Sequence, residues 1–125
     1  MVENQAFENY ILEKFSGSKA DTDLYQVDHE LESGGVQPIF FRIMAQTTMV
    51  YSPICPSDRI SASKILQTLA DGNTKLFGVK LIHGEYVLAG LFPIDQLMAD
   101  EEEIELAFAL PHLAFAAKSE LGFVK

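Results

Sequence analysis

Residues 76–92, with the sequence LFGVKLIHGEYVLAGLF, carry the clearest secondary-structure signal of the chain. Two largely apolar runs, Leu76–Ile82 and Glu85–Phe92, flank His83 and Gly84. A two-residue connection that ends in glycine is typical of a tight β-hairpin. Apolar residues occupy neighbouring positions in both runs, so both faces of both strands are expected to be apolar.

Three more strands are predicted in the first half of the chain. Residues 25–32 alternate apolar and polar side chains, which indicates a strand with one face in water. The segment Val36–Ala45 is apolar on both faces, which indicates a central strand. Thr47–Ile54 is rich in β-branched and aromatic residues, and Pro53 and Pro56 are expected to end it because proline donates no ladder hydrogen bond.

Apolar periodicity and capping residues predict three helices, which cover residues 3–15, 58–71 and 101–121. Ser57 or Ser61 is expected to cap the second helix. The acidic run Asp100–Glu103 fits the first turn of the third, where the helix dipole favours carboxylates. Pro111 is expected to kink or split that helix.

The predicted order is α-β-β-β-α-β-β-α, in a single α+β domain that spans residues 1–125. Because three strands follow one another before the middle helix, we expect a five-stranded, mainly antiparallel sheet. The helices are expected to pack on one face of it.

The composition is that of a globular protein with an acidic surface. Nine basic and 18 acidic residues give a net charge of −9, and 48% of the residues are hydrophobic. Residues 1–32 carry two basic and eight acidic side chains, a net charge of −6. Residues 33–94 carry five basic and three acidic side chains (+2), and residues 95–125 carry two basic and seven acidic side chains (−5). Such a field repels phosphate, so we expect no nucleic-acid partner.

A reducing compartment is expected, because Cys55 is the single cysteine and no intrachain disulfide can form. The first ten residues lack the basic and apolar regions of a signal peptide. The apolar stretch at Ile104–Ala117 is too short for a bilayer. The sequence therefore predicts a cytoplasmic protein without a membrane partner.

The element order, together with three segments, resembles the type III secretion chaperone-like fold and in particular the YbjN-like family of small bacterial proteins. The segments are YSPICP at Tyr51–Pro56, the helix Ser61–Gly72, and the hairpin strands around Leu76–Lys80 and Glu85–Leu88. The chain departs from the family at Ala70–Asn73, where an asparagine-rich helix end is common. The resemblance implies a non-enzymatic protein that binds partner polypeptides, often as a homodimer and sometimes as a regulator, and it carries over no catalytic residue.

Side chains that carry chemistry form no recognisable motif. Cys55 lies between Ile54 and Pro56 at a strand end, where an inert thiol is expected. His29, His83 and His112 belong to three different predicted elements, and none has the spacing of a helical metal-ligand pair. We therefore expect no catalytic residue, no metal site and no cofactor.

The apolar faces of the strands lead to the functional hypothesis. If helices cover one face of the sheet, an apolar set of side chains remains on the other. We predict that Phe40, Met44, Val87 and Leu91 bind another protein, most simply a second copy of this chain. Two alternatives stay open: the C-terminal segment with Phe108 folds over that face, or the chain is a small-molecule-binding or enzymatic domain whose pocket no motif reveals.

Overall fold

The computed structural model describes residues 5–32, 34–61, 63–65, 67 and 78–123. The elements in chain order are α1 (Gln5–Lys14), β1 (Ser18–Asp21), β2 (Leu24–Glu30), β3 (Val36–Met44), β4 (Thr47–Pro56), β5 (Gly78–Ile82), β6 (Glu85–Pro93), α2 (Ile94–Ala99) and α3 (Glu101–Glu120).

Only the start of the predicted 58–71 helix falls in the described part of the chain. Residues 63–65 and 67 are helical, whereas residues 58–61 are not. The amide of Lys64 donates to Oγ of Ser61 over 3.3 Å, so Ser61 rather than Ser57 caps this turn. The predicted helix end at Asp71–Asn73 lies outside the described residues, as do Leu76 and Phe77 of the predicted hairpin.

The strands form one antiparallel sheet in the order β1-β2-β3-β4-β6-β5, and the helices pack on it, which confirms the predicted α+β class. The expected count of five strands is wrong, because the sheet has six. The additional strand, β1, is a four-residue edge strand whose side chains are all exposed. Its sequence, SKAD, has no apolar alternation because β1 is held by backbone pairing to β2 rather than by burial.

The end of β4 also differs from the prediction. The strand runs through Pro53 to Pro56, and its register with β6 shifts between Pro53 and Cys55. A β-bulge leaves a residue outside the regular ladder, so a proline is tolerated there inside a central strand.

Two turns explain how the hairpins close. His83 (φ 50°) and Gly84 (φ 78°) both adopt left-handed backbone conformations, as a tight turn between β5 and β6 requires, which confirms the predicted hairpin. Ala45 takes a φ of 38° between β3 and β4. No glycine marks that turn in the sequence, and Ala45 adopts the left-handed conformation at a cost of roughly 1–2 kcal/mol.

The helices bury their apolar sides against one face of the sheet, which we call the inner face. Phe7 and Ile11 of α1 pack in the same core as Ile39 and Phe41 of β3. The helix α3 crosses β3, β4 and β6 and adds a row of buried small and aliphatic residues, Ala107, Leu110, Ala114 and Ala117.

The C-terminal region differs from the prediction in two ways. The six-residue helix α2, directly after Pro93, is too short to show helical periodicity in the sequence. The helix α3 is continuous through Pro111, so the proline does not split it. The side chain of Asp100 accepts a hydrogen bond from the amide of Glu102 over 2.9 Å and caps α3.

A chain of buried polar groups joins α3 to the central strands. Nζ of Lys118 donates to Oε1 of Gln37 over 3.0 Å. Nε2 of Gln37 donates to Oγ of Ser52 over 2.9 Å and to the carbonyl of Pro53 over 2.7 Å. The Ser52 hydroxyl donates in turn to the carbonyl of Pro38 over 2.7 Å. Because Gln37 is only 1% exposed, its amide depends on these partners entirely.

We expect Gln37→Leu to lower the free energy of unfolding by about 2 kcal/mol, because the Pro53 carbonyl and the Lys118 ammonium lose a buried partner. The same substitution at Gln26, whose amide donates to Asp28 at an exposed site, should change the free energy by less than about 0.5 kcal/mol. Chemical denaturation of both variants measures the difference. Equal effects at the two sites would contradict a structural role for the buried hydrogen bonds of Gln37.

Candidate functional site

The side of the sheet opposite the helices, which we call the outer face, carries a second apolar cluster. Its floor consists of three buried residues from β4 and β6, namely Tyr51, Val87 and Ala89. Four half-buried residues surround the floor: Leu24, Phe40, Met49 and Ile82. Met44 and Leu91 are exposed at the same face.

Strand register assembles this cluster from distant parts of the chain. Phe40 of β3 pairs with Tyr51 of β4, which pairs with Ala89 of β6. The rings of Phe40 and Tyr51 stack with their centroids 5.1 Å apart and their planes at 17°. In the next row, Met49 pairs with Leu91. The outer face is therefore a continuous apolar platform across three central strands.

The described helices leave this platform uncovered. The buried residues of the described helices other than Pro111 belong to the core on the inner face. The C-terminal segment also packs there, because the ring of Phe108 lies 4.8 Å from that of Phe15 and 6.1 Å from that of Phe41. The alternative in which Phe108 covers the second face is therefore wrong.

The four residues predicted to bind a partner all lie on the outer face. Leu91 is 62% exposed and Met44 is 41% exposed, so both present apolar surface to solvent. Phe40 is half-buried, and Val87 is only 2% exposed, so Val87 supports the platform from below. Their role in binding stays a prediction.

Sequence reasoning missed Met49 and Tyr51 as members of the platform. No glycine marks the turn before the predicted strand Thr47–Ile54, and its side chains were therefore assigned to neither face of the sheet. The register of β4 against β3 and β6 supplies that assignment.

The guanidinium of Arg42 lies among the apolar side chains of the outer face. Arg42 pairs with Met49, and its side chain is hydrogen-bonded to Tyr51. Burial raises the pKa of the Tyr51 hydroxyl, and the positive charge of Arg42 opposes that effect. The hydroxyl therefore remains protonated at neutral pH and anchors the guanidinium beside the aromatic stack.

Cys55 lies on the other side of the sheet and is 2% exposed. Burial raises the pKa of its thiol, and the nearby charge of Glu85 raises it further, against the opposing effect of Lys118. A nucleophilic cysteine needs the opposite shift and access to solvent. The geometry supports the predicted inert thiol.

The structure brings together two histidines that the sequence placed in separate elements. His29 lies on the inner side of β2, and His112 lies on α3, with their Nε2 atoms 2.8 Å apart. Burial and the second imidazole lower the pKa of His29, against a smaller effect of Glu30. The third histidine, His83, lies in the turn between β5 and β6 and is not part of this pair. Periodicity within one element cannot reveal a pair that forms between a strand and a helix.

A small cleft of about 190 Å³ lies where α1 meets the α2–α3 junction, lined by residues that include Tyr10, Lys14, Leu97 and Glu101. Pockets for drug-sized ligands and cofactors are usually about 300–1,000 Å³. This cleft is therefore small for a cofactor.

The sequence matches no protein-family model and no curated protein. Among solved structures, the chain is similar to a chain of the HopA1-SchA chaperone-effector complex, with 12% sequence identity and a TM-score of 0.48. The match covers 90% of this chain and 98% of that one. Among the described residues, no helix has the length and hydrophobicity needed to cross a membrane.

We expect the Cys55 thiol of the folded protein to react with an aromatic disulfide reagent at least about a hundredfold more slowly than in the denatured chain, because the thiol must wait for an opening of the core. Absorbance of the released thiol measures both rates. Cys55→Ser should leave the activity of the protein unchanged, and a loss of more than about a hundredfold would contradict the inert role.

Proposed function

We propose that this chain is a non-enzymatic protein-binding module that holds a partner polypeptide on the outer face of its sheet. One observation supports the proposal above all: an apolar platform spans β3, β4 and β6, and no helix of the described chain covers it. Soluble monomers rarely leave a large contiguous apolar surface in water, so such a surface favours a binding role.

The side chains of the platform suit protein recognition. Aromatic residues, methionine and arginine are enriched where proteins meet, and the platform combines the Phe40–Tyr51 stack, Met44, Met49 and Arg42. Methionine side chains adapt to different shapes because they are unbranched and polarisable. An apolar segment of a partner, with an acidic residue placed to meet Arg42, fits this surface best.

The energy available from the platform is sufficient for binding. Burying exposed apolar surface contributes about 25 cal/mol per Å², so covering several hundred Å² contributes several kcal/mol. The loss of translational and rotational freedom offsets part of that gain. Leu91 and Met44, the most exposed members, should contribute most, because they have the most apolar surface left to bury.

Three finer assignments belong to the same proposal. The segments Tyr51–Pro56 and Glu85–Leu88 resemble the YbjN-like family, which supports a chaperone-like adaptor or regulator. The simplest partner is a second copy of the chain, which would place two outer faces against each other. A cytoplasmic location agrees with the single cysteine.

Among the described residues, the competing function, a small-molecule-binding or enzymatic domain, has weaker support. The cleft beside Tyr10 is below the usual pocket size, and Cys55 is buried with a raised pKa. A ligand that competes with the protein partner would favour this competing function.

A photo-crosslinking amino acid at position 91 tests where the partner binds. We expect it to capture a polypeptide in the native cell, whereas the same amino acid at position 12 should not. Leu12 is a matched control because it is also an exposed leucine, at 39%, but lies on α1. Mass spectrometry identifies the captured chain.

The identified partner is then measured with the purified protein. Leu91→Glu should weaken binding at least about tenfold, the effect of losing a contact worth about 1.4 kcal/mol, and Leu12→Glu should not. Equal capture at both positions, or unchanged binding by Leu91→Glu, would contradict the proposal.

Sedimentation at micromolar concentration tests whether the partner is a second copy. We expect a dimer that Phe40→Glu dissociates, because the substitution places a carboxylate on the aromatic stack. Leu91→Glu, at an exposed position that does not threaten the fold, should have the same effect. A monomer at all concentrations would exclude self-association and leave a different protein as the partner.

A further inference from the structure

Two imidazole side chains meet at the junction of β2 and α3. The Nε2 atoms of His29 and His112 lie 2.8 Å apart, and the rings are nearly perpendicular, at 81°, with centroids separated by 4.7 Å. His29 is half-buried at the edge of the helix layer, whereas His112 is exposed. Two nitrogen ligands from different elements therefore converge at a site that solvent can reach.

We propose that His29 and His112 together bind a divalent transition-metal ion such as Zn²⁺, Ni²⁺ or Cu²⁺ between their Nε2 atoms. Such ions bind imidazole nitrogen at about 2.0–2.1 Å, so two ligands at an angle of about 90–110° lie about 2.9–3.4 Å apart. The observed separation of 2.8 Å is shorter than these values by about 0.1–0.6 Å. A small rotation of the exposed His112 ring supplies the difference.

The chemistry of the pair selects this class of ion. Imidazole suits zinc, copper and nickel, whereas magnesium and calcium prefer oxygen. The lone pair that binds a metal belongs to neutral imidazole, and the burial of His29 favours its neutral form. In the metal-free pair one Nε2–H donates to the other Nε2. When the ion binds, the donor ring changes tautomer, its proton moving from Nε2 to Nδ1 by exchange with water, so that both neutral rings offer an Nε2 lone pair.

The surrounding charge favours a cation. His29 belongs to the acidic N-terminal region (−6) and His112 to the acidic C-terminal region (−5). The carboxylate of Glu30 is close enough to act electrostatically on His29. A negative field of this kind raises the local concentration of divalent cations.

The packing around His29 holds one ligand in place. The ring of Phe108, one turn before His112 on α3, lies 5.4 Å from that of His29. The ring of Phe15, the residue after α1, packs on Phe108, with the two ring centroids 4.8 Å apart. One ligand is therefore fixed by the core and the other is adjustable, and an ion bound to both ties β2 to α3.

The site leaves coordination positions open. The described residues contain no group of three histidine, cysteine or carboxylate side chains arranged for a metal. Water, or a side chain from a bound partner, completes the coordination of the ion. Binding by two histidines is therefore weaker than at a structural zinc site with four protein ligands.

Titration of the full-length protein with ZnCl₂, followed by calorimetry and by thermal unfolding, tests the site. We expect saturable 1:1 binding. Because the ion links two elements of the folded state, Zn²⁺ at a hundred times its Kd should raise the folding equilibrium constant about a hundredfold. His112→Ala should abolish both effects, and it replaces an exposed helical residue with a strong helix former.

A matched control is available in the third histidine. His83→Asn should leave Zn²⁺ binding unchanged, because asparagine accepts the left-handed φ of 50° in the hairpin turn. His112→Gln provides a second, more conservative variant. Ni²⁺ should broaden the NMR signals of the His29 ring in the wild-type protein but not in either His112 variant. The absence of saturable binding, or binding that survives both His112 variants, overturns the proposal.

Discussion

The amide of Gln37 is the point at which the helical layer and the sheet are fixed to each other. It accepts from Lys118 of α3 and donates to Ser52 and to the carbonyl of Pro53, at the bulge of β4. Burying an amide costs free energy unless all its hydrogen bonds are made. All the hydrogen bonds of Gln37 are made only when α3, β3 and β4 take the relative positions seen here. The position of α3 over the inner face follows from this constraint, and the Pro53 carbonyl beside the bulge has a hydrogen-bond donor.

The same constraint explains the surface on which the proposed function rests. The described chain has one helical layer, and the polar contacts of its longest helix hold that layer on the inner face. The central strands nevertheless carry apolar side chains on both sides. The outer side of β2 meets water with the polar residues Gln26 and Asp28. The apolar side chains of the outer face are therefore those that the described helices do not cover.

Features set by local sequence were predictable, and features set by long-range contacts were not. The hairpin at His83 and Gly84 depends on two left-handed residues, and the alternation in β2 depends on burial, so both are visible in the sequence. The strand β1 is held by backbone pairing, and Pro53 by a bulge, neither of which leaves a periodic pattern. Side-chain alternation alone predicts that the central strands have an apolar outer face. Which residues lie side by side on that face depends on the register between strands, which the sequence does not show. The Gln37–Lys118 contact and the histidine pair join residues 81 and 83 positions apart, beyond any local signal.

The sheet order also sets the sequence of events during synthesis. The strands β1 to β4 are neighbours along the chain and can pair as each one emerges. The next strand in space, β6, arrives only after β5, and the inner face of the central strands is covered only in part, by α1, until α3 has followed. A nascent chain that stops before α3 therefore exposes the outer face of its central strands together with part of their inner face. Ribosome pausing in this region prolongs the period in which the chain can aggregate, and a chaperone that binds nascent chains has most to protect between the completion of β4 and the docking of the last helix.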